Sequence, residues 1–182
     1  MIEAIVLAGG KSSRMQTNKM LLTVDDVPVI LHTINYLRPF VSKVIVVTGK
    51  YHKEISELLK GEEKVQVVEN KDYELGMFSS VKTGVRETTS DFLLTPGDCP
   101  FVSKETIEKI LNGSGKIRVV RYHGEDGHPI YISKEYKEEI LNFPLDSNLK
   151  VFRDSKNYEI IDVEDRNILV NLNDVLDLEK VR

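Results

Sequence analysis

Gly9-Gly10 is followed within one stretch by Lys11, Ser12, Ser13, Arg14 and Lys19, and far along the chain one carboxylate, Asp98, stands between Gly97 and Cys99-Pro100. Two adjacent glycines let the backbone approach a ligand with no Cβ in the way, and successive N–H groups in such a turn make a concave anion site. Cations in the same loop suit a polyphosphate, and a carboxylate at a strand end suits a hard cation such as magnesium. Together these groups are an inventory for phosphoryl or nucleotidyl transfer, in which the protein supplies positioning and charge neutralisation. Each feature alone has a plainer reading: a solvated turn for the loop, an Asx turn before Pro100 for Asp98. The loop is neither Gly-x-x-x-x-Gly-Lys-Ser/Thr nor Gly-x-Gly-x-x-Gly, so P-loop and dinucleotide fingerprints are not supported.

Other reactive side chains offer less. His32 falls in a helical pattern and His52 near a helix start, while His123 and His128 flank Gly124-Glu125-Asp126-Gly127, which reads as a hairpin loop more than a metal cluster. A Gly-x-Ser-x-Gly elbow is absent, and Cys99 has no obvious local base.

The elements that must position these groups follow from periodicity. Ile2 to Leu7, Lys43 to Thr48, Val65 to Val68 and Asp91 to Thr95 are short apolar runs without strict alternation, the pattern of strands covered on both faces in a parallel sheet. Leu21 to Val24 reads as extended, and Asp25-Asp26 as a turn. Between the strands, Ile30, Ile34, Leu37 and Val41 give one helical stripe ending near Pro39. Ile55, Leu58 and Leu59 give a second that stops at Gly61, and Met77, Val81 and Val85 a third after a loop from Asn70 to Gly76. Ser103 reads as an N-cap for a helix through Ile107, Ile110 and Leu111. Beyond Gly113 the pattern is less regular. Strands are expected at Ile117 to Val120 and Ile130 to Ile132 with a polar loop from Tyr122 to His128. A helix through Tyr136, Ile140 and Leu141 follows, then a short helical piece from Leu149 to Arg153. Glu159 to Val163 and Ile168 to Val170 read as extended, and a last helix starts at Asp174. The expectation is an α/β fold in three layers around a mostly parallel sheet. Its ligands sit at the carboxyl ends of the strands, where the Gly9 to Lys19 loop and Asp98 share one site.

With 182 residues and 41% hydrophobic content the chain suits one domain, residues 1–182, with a nucleotide-binding half over 1–100 and a second-substrate half over 101–182. A net charge of −4 argues against a broad nucleic-acid surface. No run of eighteen apolar residues suggests a membrane span, no signal-peptide pattern opens the chain, and the single cysteine fits a reducing compartment. The cytoplasm is the expected location, with no nucleic-acid or membrane partner.

Leu7-Ala8-Gly9-Gly10-Lys11-Ser12-Ser13-Arg14-Met15, with Lys19 and Leu21-Leu22 following, resembles the LAGG-x-S-x-RM-G-x-x-K-x-LL signature of the MobA-like nucleotidyltransferases. Asn70 with Gly76-Met77-Phe78-Ser79-Ser80-Val81 resembles the N-x(5)-GMSSS segment of molybdenum cofactor cytidylyltransferases. Gly97-Asp98-Cys99-Pro100 resembles their GD-x-P, and Gly127-His128-Pro129 their GHP. The resemblance spans nearly the whole chain. It implies a nucleotide-diphospho-sugar-transferase-like, Rossmann-like fold and magnesium dependence. The implied reaction moves a nucleoside monophosphate from CTP or GTP to the phosphate of a molybdopterin-type acceptor, releasing pyrophosphate. By the same mapping Leu7, Ala8, Gly9, Gly10, Lys11 and Ser13 would bind the nucleotide, with Asn70, Ser79 and Ser80 near base and ribose. Arg14 and Lys19 would neutralise charge on the α-phosphate and the leaving pyrophosphate, and Asp98 would hold magnesium. Molybdoenzymes or other proteins of the cofactor pathway are the implied protein partners.

Several positions depart from these patterns. Gln16 stands where the signature has Gly. Near the end, Asn171-Leu172-Asn173-Asp174 replaces the D-x-D-T-P-E-D of cytidylyltransferases and resembles the N-x-N-T-P-E of guanylyltransferases, which makes Asn173 the second expected magnesium ligand. Leu145-Asp146-Ser147-Asn148 resembles the GD-x-GAR segment only faintly. The donor therefore stays open between CTP and GTP, and two other readings stay beside the main one. One is transfer to a sugar phosphate or other small acceptor. The other is a nucleotide-binding regulator without catalysis.

Overall fold

The computed structural model describes residues 1–10 and 18–172. In chain order the strands are β1 (Ile2–Ala8), β2 (Thr23–Val24), β3 (Val27–Pro28), β4 (Lys43–Thr48), β5 (Val65–Glu69), β6 (Asp91–Pro96), β7 (Ile117–Tyr122), β8 (Glu125–Ile132) and β9 (Glu159–Asp162). The helices are α1 (Val29–Leu37), α2 (His52–Leu58), α3 (Met77–Glu87), α4 (Lys104–Asn112), α5 (Lys137–Asn142) and α6 (Leu149–Asp154). Seven strands make one sheet in the order β5-β4-β1-β6-β8-β7-β9, and β2 and β3 form a small separate hairpin.

The first four sheet strands are parallel, as their unbroken apolar runs require. Successive β1 side chains enter opposite faces. Ala4 and Val6 join Ile30, Ile34 and Leu37 of α1 and Ile107 and Ile110 of α4 on one side, while Ile5 and Leu7 join Val81 and Val85 of α3 and Phe152 of α6 on the other. This is the expected three-layer α/β arrangement. The second half enters the same sheet through β8, which runs antiparallel to both β6 and β7, and β9 pairs parallel with β7. Because β8 is reversed, its first residues lie at the end where the parallel strands finish. Among the described residues no helix is long and apolar enough to cross a membrane.

Five details differ from the sequence expectation. Leu21 closes a single helical turn, Lys19–Leu21, in place of opening the extended piece, because Asn18 Oδ1 accepts the Met20 N–H at 3.1 Å and starts the turn. Val41 lies beyond α1, although it is buried with that helix's stripe. Met77 opens α3 but is 69% exposed, lining the cavity described below and not packed in the core. The polar segment from Tyr122 to His128 is not a loop. The chain reverses at His123-Gly124, both with positive φ (46° and 88°), as a tight two-residue hairpin requires, and Tyr122 already pairs with Glu125. Arg166–Leu169 is a single helical turn where an extended Ile168 to Val170 was expected, started by Asp165, whose Oδ1 accepts the Asn167 N–H. The last helix from Asp174 lies outside the described residues.

Candidate active site

The loops after β1 and β6 meet. Gly97 N–H donates to Leu7 O at 2.9 Å, and Thr33 Oγ1 from α1 donates to Gly97 O at 2.9 Å, so the second loop is tied to the first strand and to a helix. Asp98 follows at 5% exposure, and Lys19 Nζ donates to its Oδ2 as an ion pair across 79 positions of chain. Asn18 holds the turn that aims Lys19, and its own Nδ2 is buried with no partner among the described residues. The two charged members of the chemical inventory among the described residues are thus in direct contact. The Asp98 carboxylate takes Lys19 and forms no Asx turn.

The C-terminal segment closes over the same loop. Leu172 N–H donates to Asp98 O at 2.9 Å, and Cys99 Sγ donates to Asn171 Oδ1 at 2.9 Å. Cys99 is fully buried, and burial foremost pushes its thiol far up, so it is no nucleophile. Asn171, expected from the terminal asparagine pattern, is thereby brought beside Asp98. Asn173 lies outside the described residues, as do Lys11, Ser13 and Arg14.

Asn70, Ser79 and Ser80 form a closed cluster behind the first loop. Asn70 Nδ2 donates to Ser79 Oγ at 2.8 Å and Ser80 Oγ at 2.9 Å, Asn70 Oδ1 accepts the Asp72 N–H, and Ser79 Oγ donates onward to Gly76 O at 2.7 Å. All three are buried. Gly9 explains why they are there: a Cβ at this position would lie 2.8 Å from Ser80 Oγ, so α3 touches the loop backbone and fixes its path. Ala8 is buried beneath the loop, Leu7 faces a cavity, and the space where a Gly10 side chain would project is open.

That cavity, about 730 Å³, reaches the Asp98 loop through Pro96 and through Asn171, which bonds Cys99. Leu7, Phe78, Val81 and Ile130 give it an apolar floor, and Arg121, Asp126, His128, Lys150, Arg153 and Asn171 a polar wall. His128 is on β8 with its Nδ1 buried and without a partner among the described residues. Burial lowers its pKa to about 4, the Asp98 carboxylate offsetting part of that effect and the Arg153 guanidinium adding to it, so the ring is neutral at pH 7. Asn148, from the segment with the faint GD-x-GAR likeness, caps α6 by accepting the Val151 N–H at 3.0 Å and also lines the cavity. Sequence reasoning missed Asn18, Thr33, Arg121, Asp126 and Arg153. The first could have been found as an N-cap before Lys19-Met20-Leu21, and Arg121 with Asp126 by placing a two-residue turn at His123-Gly124. The other two carry no local signal. His32 and His52 are satisfied structurally, by Val24 O at 2.9 Å and Thr48 Oγ1 at 2.7 Å.

Comparison with known proteins agrees with this geometry. The profile of the MobA-like NTP transferase domain matches residues 4–160. The chain is 29% identical over 174 residues to the molybdenum cofactor cytidylyltransferase of Escherichia coli, covering 94% of this chain and 90% of that protein. It is 30% identical over 149 residues to the molybdenum cofactor guanylyltransferase of Haemophilus influenzae, covering 78% and 76%. Among solved structures, a nucleotidyl transferase from Methanothermobacter superposes with a TM-score of 0.84 at 28% identity, covering 100% of this chain and 96% of that one.

Proposed function

The chain belongs to the MobA-like NTP transferase family and is a nucleotidyltransferase, and from that premise we propose that it acts in molybdenum cofactor biosynthesis. In this reading it transfers a nucleoside monophosphate from CTP or GTP to the phosphate of a molybdopterin-type acceptor. An acceptor phosphate oxygen bonds to the α-phosphorus, the bond to the bridging oxygen breaks, and pyrophosphate leaves. The observation that carries the reading is the Lys19–Asp98 pair, which joins the segments after β1 and β6, with Pro96 and Asn171 of the Asp98 surroundings lining a cavity roomy enough for a second substrate.

The first loop offers backbone N–H groups at Gly9 and Gly10 to the triphosphate, and Lys11, Ser13 and Arg14 of the same loop would add charge and hydroxyl donors. Lys19 stabilises negative charge developing on the α-phosphate and pyrophosphate, with Arg14 beside it in the sequence pattern. Asn70, Ser79 and Ser80 act from behind by fixing the loop. Magnesium fits the donor set. It is held by one or two carboxylates plus substrate phosphates rather than by a full protein cage. Asp98 supplies a buried anionic oxygen, and no group of three His, Cys, Asp or Glu side chains gathers among the described residues. Asp98, with Asn173 as second ligand, would hold the ion, which when bound screens the phosphates. We take residues 1–100 as the donor half and 101–182 as the acceptor half of one cytoplasmic domain; a sheet that continues from β6 into β8 and a cavity lined from both halves support the single domain.

A thermal-shift panel of CTP, GTP, ATP and UTP with magnesium tests the donor. A nucleotide at a hundred times its Kd stabilises by about 2.7 kcal/mol, or about 5–11 °C for a chain of this size. CTP or GTP is expected to do so, and molybdopterin then to be nucleotidylated with pyrophosphate release. Turnover of sugar 1-phosphates in its place, or stabilisation without any pyrophosphate release, overturns the proposal.

A further inference from the structure

Two arginines on the cavity wall share one carboxylate. Arg121 Nε donates to Asp126 Oδ1 at 2.7 Å, and Arg153 Nη1 lies 3.2 Å from Asp126 Oδ2. The arrangement joins distant pieces of chain. The hairpin turn at His123-Gly124 sets Arg121 directly opposite Asp126, and α6, capped by Asn148, delivers Arg153. The Arg153 guanidinium also lies 4.9 Å from the Tyr158 ring centroid and is bonded to Asp154 at 2.7 Å, which fixes its plane.

A purely structural arginine in this fold looks different. Arg118 is buried and spends its guanidinium on the carbonyls of Ile110, Leu111 and Gly115. Arg121 engages only Nε and Nη2, both on Asp126, and its Nη1 takes no partner among the described residues. Arg121, Lys150 and Arg153 share the cavity lining with Glu125 and Asp126, while Asp154, paired with Arg153, is not part of that lining. Arg153 has all three of its nitrogens on Asp126 and Asp154, so the unengaged Nη1 is that of Arg121; two guanidiniums held on one carboxylate present planar N–H groups that suit the oxygens of a phosphate group.

We infer that Arg121 and Arg153, held together by Asp126, bind the phosphate of the acceptor and present it to the donor site at Lys19 and Asp98. The inference rests on the nucleotidyl-transfer reading for the word acceptor, and on the wall itself for the phosphate. His128 and Asn171 line the same cavity as the two arginines, and Asn171 accepts from Cys99 Sγ, next to Asp98, which joins the clamp to the donor site. Donor phosphates are the other source of the same chemistry, so the test must separate the two.

The first arm uses inorganic phosphate as the probe, in a Lys19→Ala background that silences the donor loop. Adding Arg121→Gln should weaken phosphate binding at least tenfold, and Arg121→Lys should recover part of it. The second arm is steady-state kinetics with molybdopterin, in which Arg121→Gln and Arg153→Lys should raise the acceptor KM at least tenfold and leave the nucleotide KM within twofold. Circular dichroism confirms folding, and Arg121→Lys replaces Arg121→Gln if the latter does not fold. An unchanged phosphate affinity, no phosphate binding by the Lys19→Ala protein, or a rise in nucleotide KM equal to that of the acceptor overturns the clamp. Phosphate binding that depends on Arg121, with no turnover of molybdopterin, overturns the functional reading and leaves the clamp standing.

Discussion

Gly9→Ala tests whether α3 sets the shape of the donor loop. The added Cβ would lie 2.8 Å from Ser80 Oγ, while its next neighbours, Ser80 Cβ and Gly49 N, are at an ordinary 3.8 Å. Ser80 Oγ cannot simply rotate away, because it accepts from Asn70 Nδ2 at 2.9 Å inside a buried cluster. Overpacking of this kind costs about 1–3 kcal/mol, and about 2 kcal/mol lowers Tm by about 4–8 °C in a chain of this length. Ser80→Ala alone should cost about 1 kcal/mol for the lost hydrogen bond. In that background the offending atom is gone, so Gly9→Ala should cost less than about 0.5 kcal/mol, a coupling of at least about 1.5 kcal/mol. Urea unfolding of the four proteins in the cycle measures it. Nucleotide-dependent stabilisation should weaken in Gly9→Ala and return in the double variant. An equal loss from Gly9→Ala in both backgrounds refutes the reasoning, because the cost would then lie in the backbone and not in the contact with Ser80.

Lys19→Ala should lower turnover by at least about a hundredfold and stability by about 1–3 kcal/mol, since it strands a buried carboxylate; adding Asp98→Asn should recover the stability and none of the activity. Unchanged turnover removes Lys19 from the chemistry. Asp98→Ala should lose activity together with magnesium-dependent nucleotide stabilisation, and metal-dependent activity in that variant would assign Asp98 a structural role. His128 gives a pH signature. Its folded pKa, about 4, lies below the unfolded value, about 6.5. The unfolded chain therefore takes up a proton that the folded one refuses, and stability falls as pH drops from 6.5 to 4. His128→Gln should flatten that slope by up to about 3 kcal/mol, read from urea unfolding at pH 7, 5.5 and 4.5; an identical slope in the variant refutes the assignment.

The sequence by itself determined the parallel half of the sheet. Runs such as Lys43 to Thr48 can be buried on both faces only between helices, and the helical stripes at Ile30-Ile34-Leu37 and Ile107-Ile110 supply that cover. It also singled out Gly9-Gly10 and Asp98, which the structure places after β1 and β6, because strand ends and adjacent glycines are local features. What it could not determine was set by contacts between residues far apart in the chain. The buried hydrogen-bonded cluster of Asn70, Ser79 and Ser80, which forms where α3 packs onto Gly9, is one such contact. His128 read as a loop residue, yet one tight turn places it in a strand at the cavity. Arg121, Asp126 and Arg153 have no common pattern along the chain. Only a reversed β8 and the docking of α6 set them on one wall, and hydrogen bonds that span 79 positions, like that from Lys19 to Asp98, leave no periodic trace in the residues between.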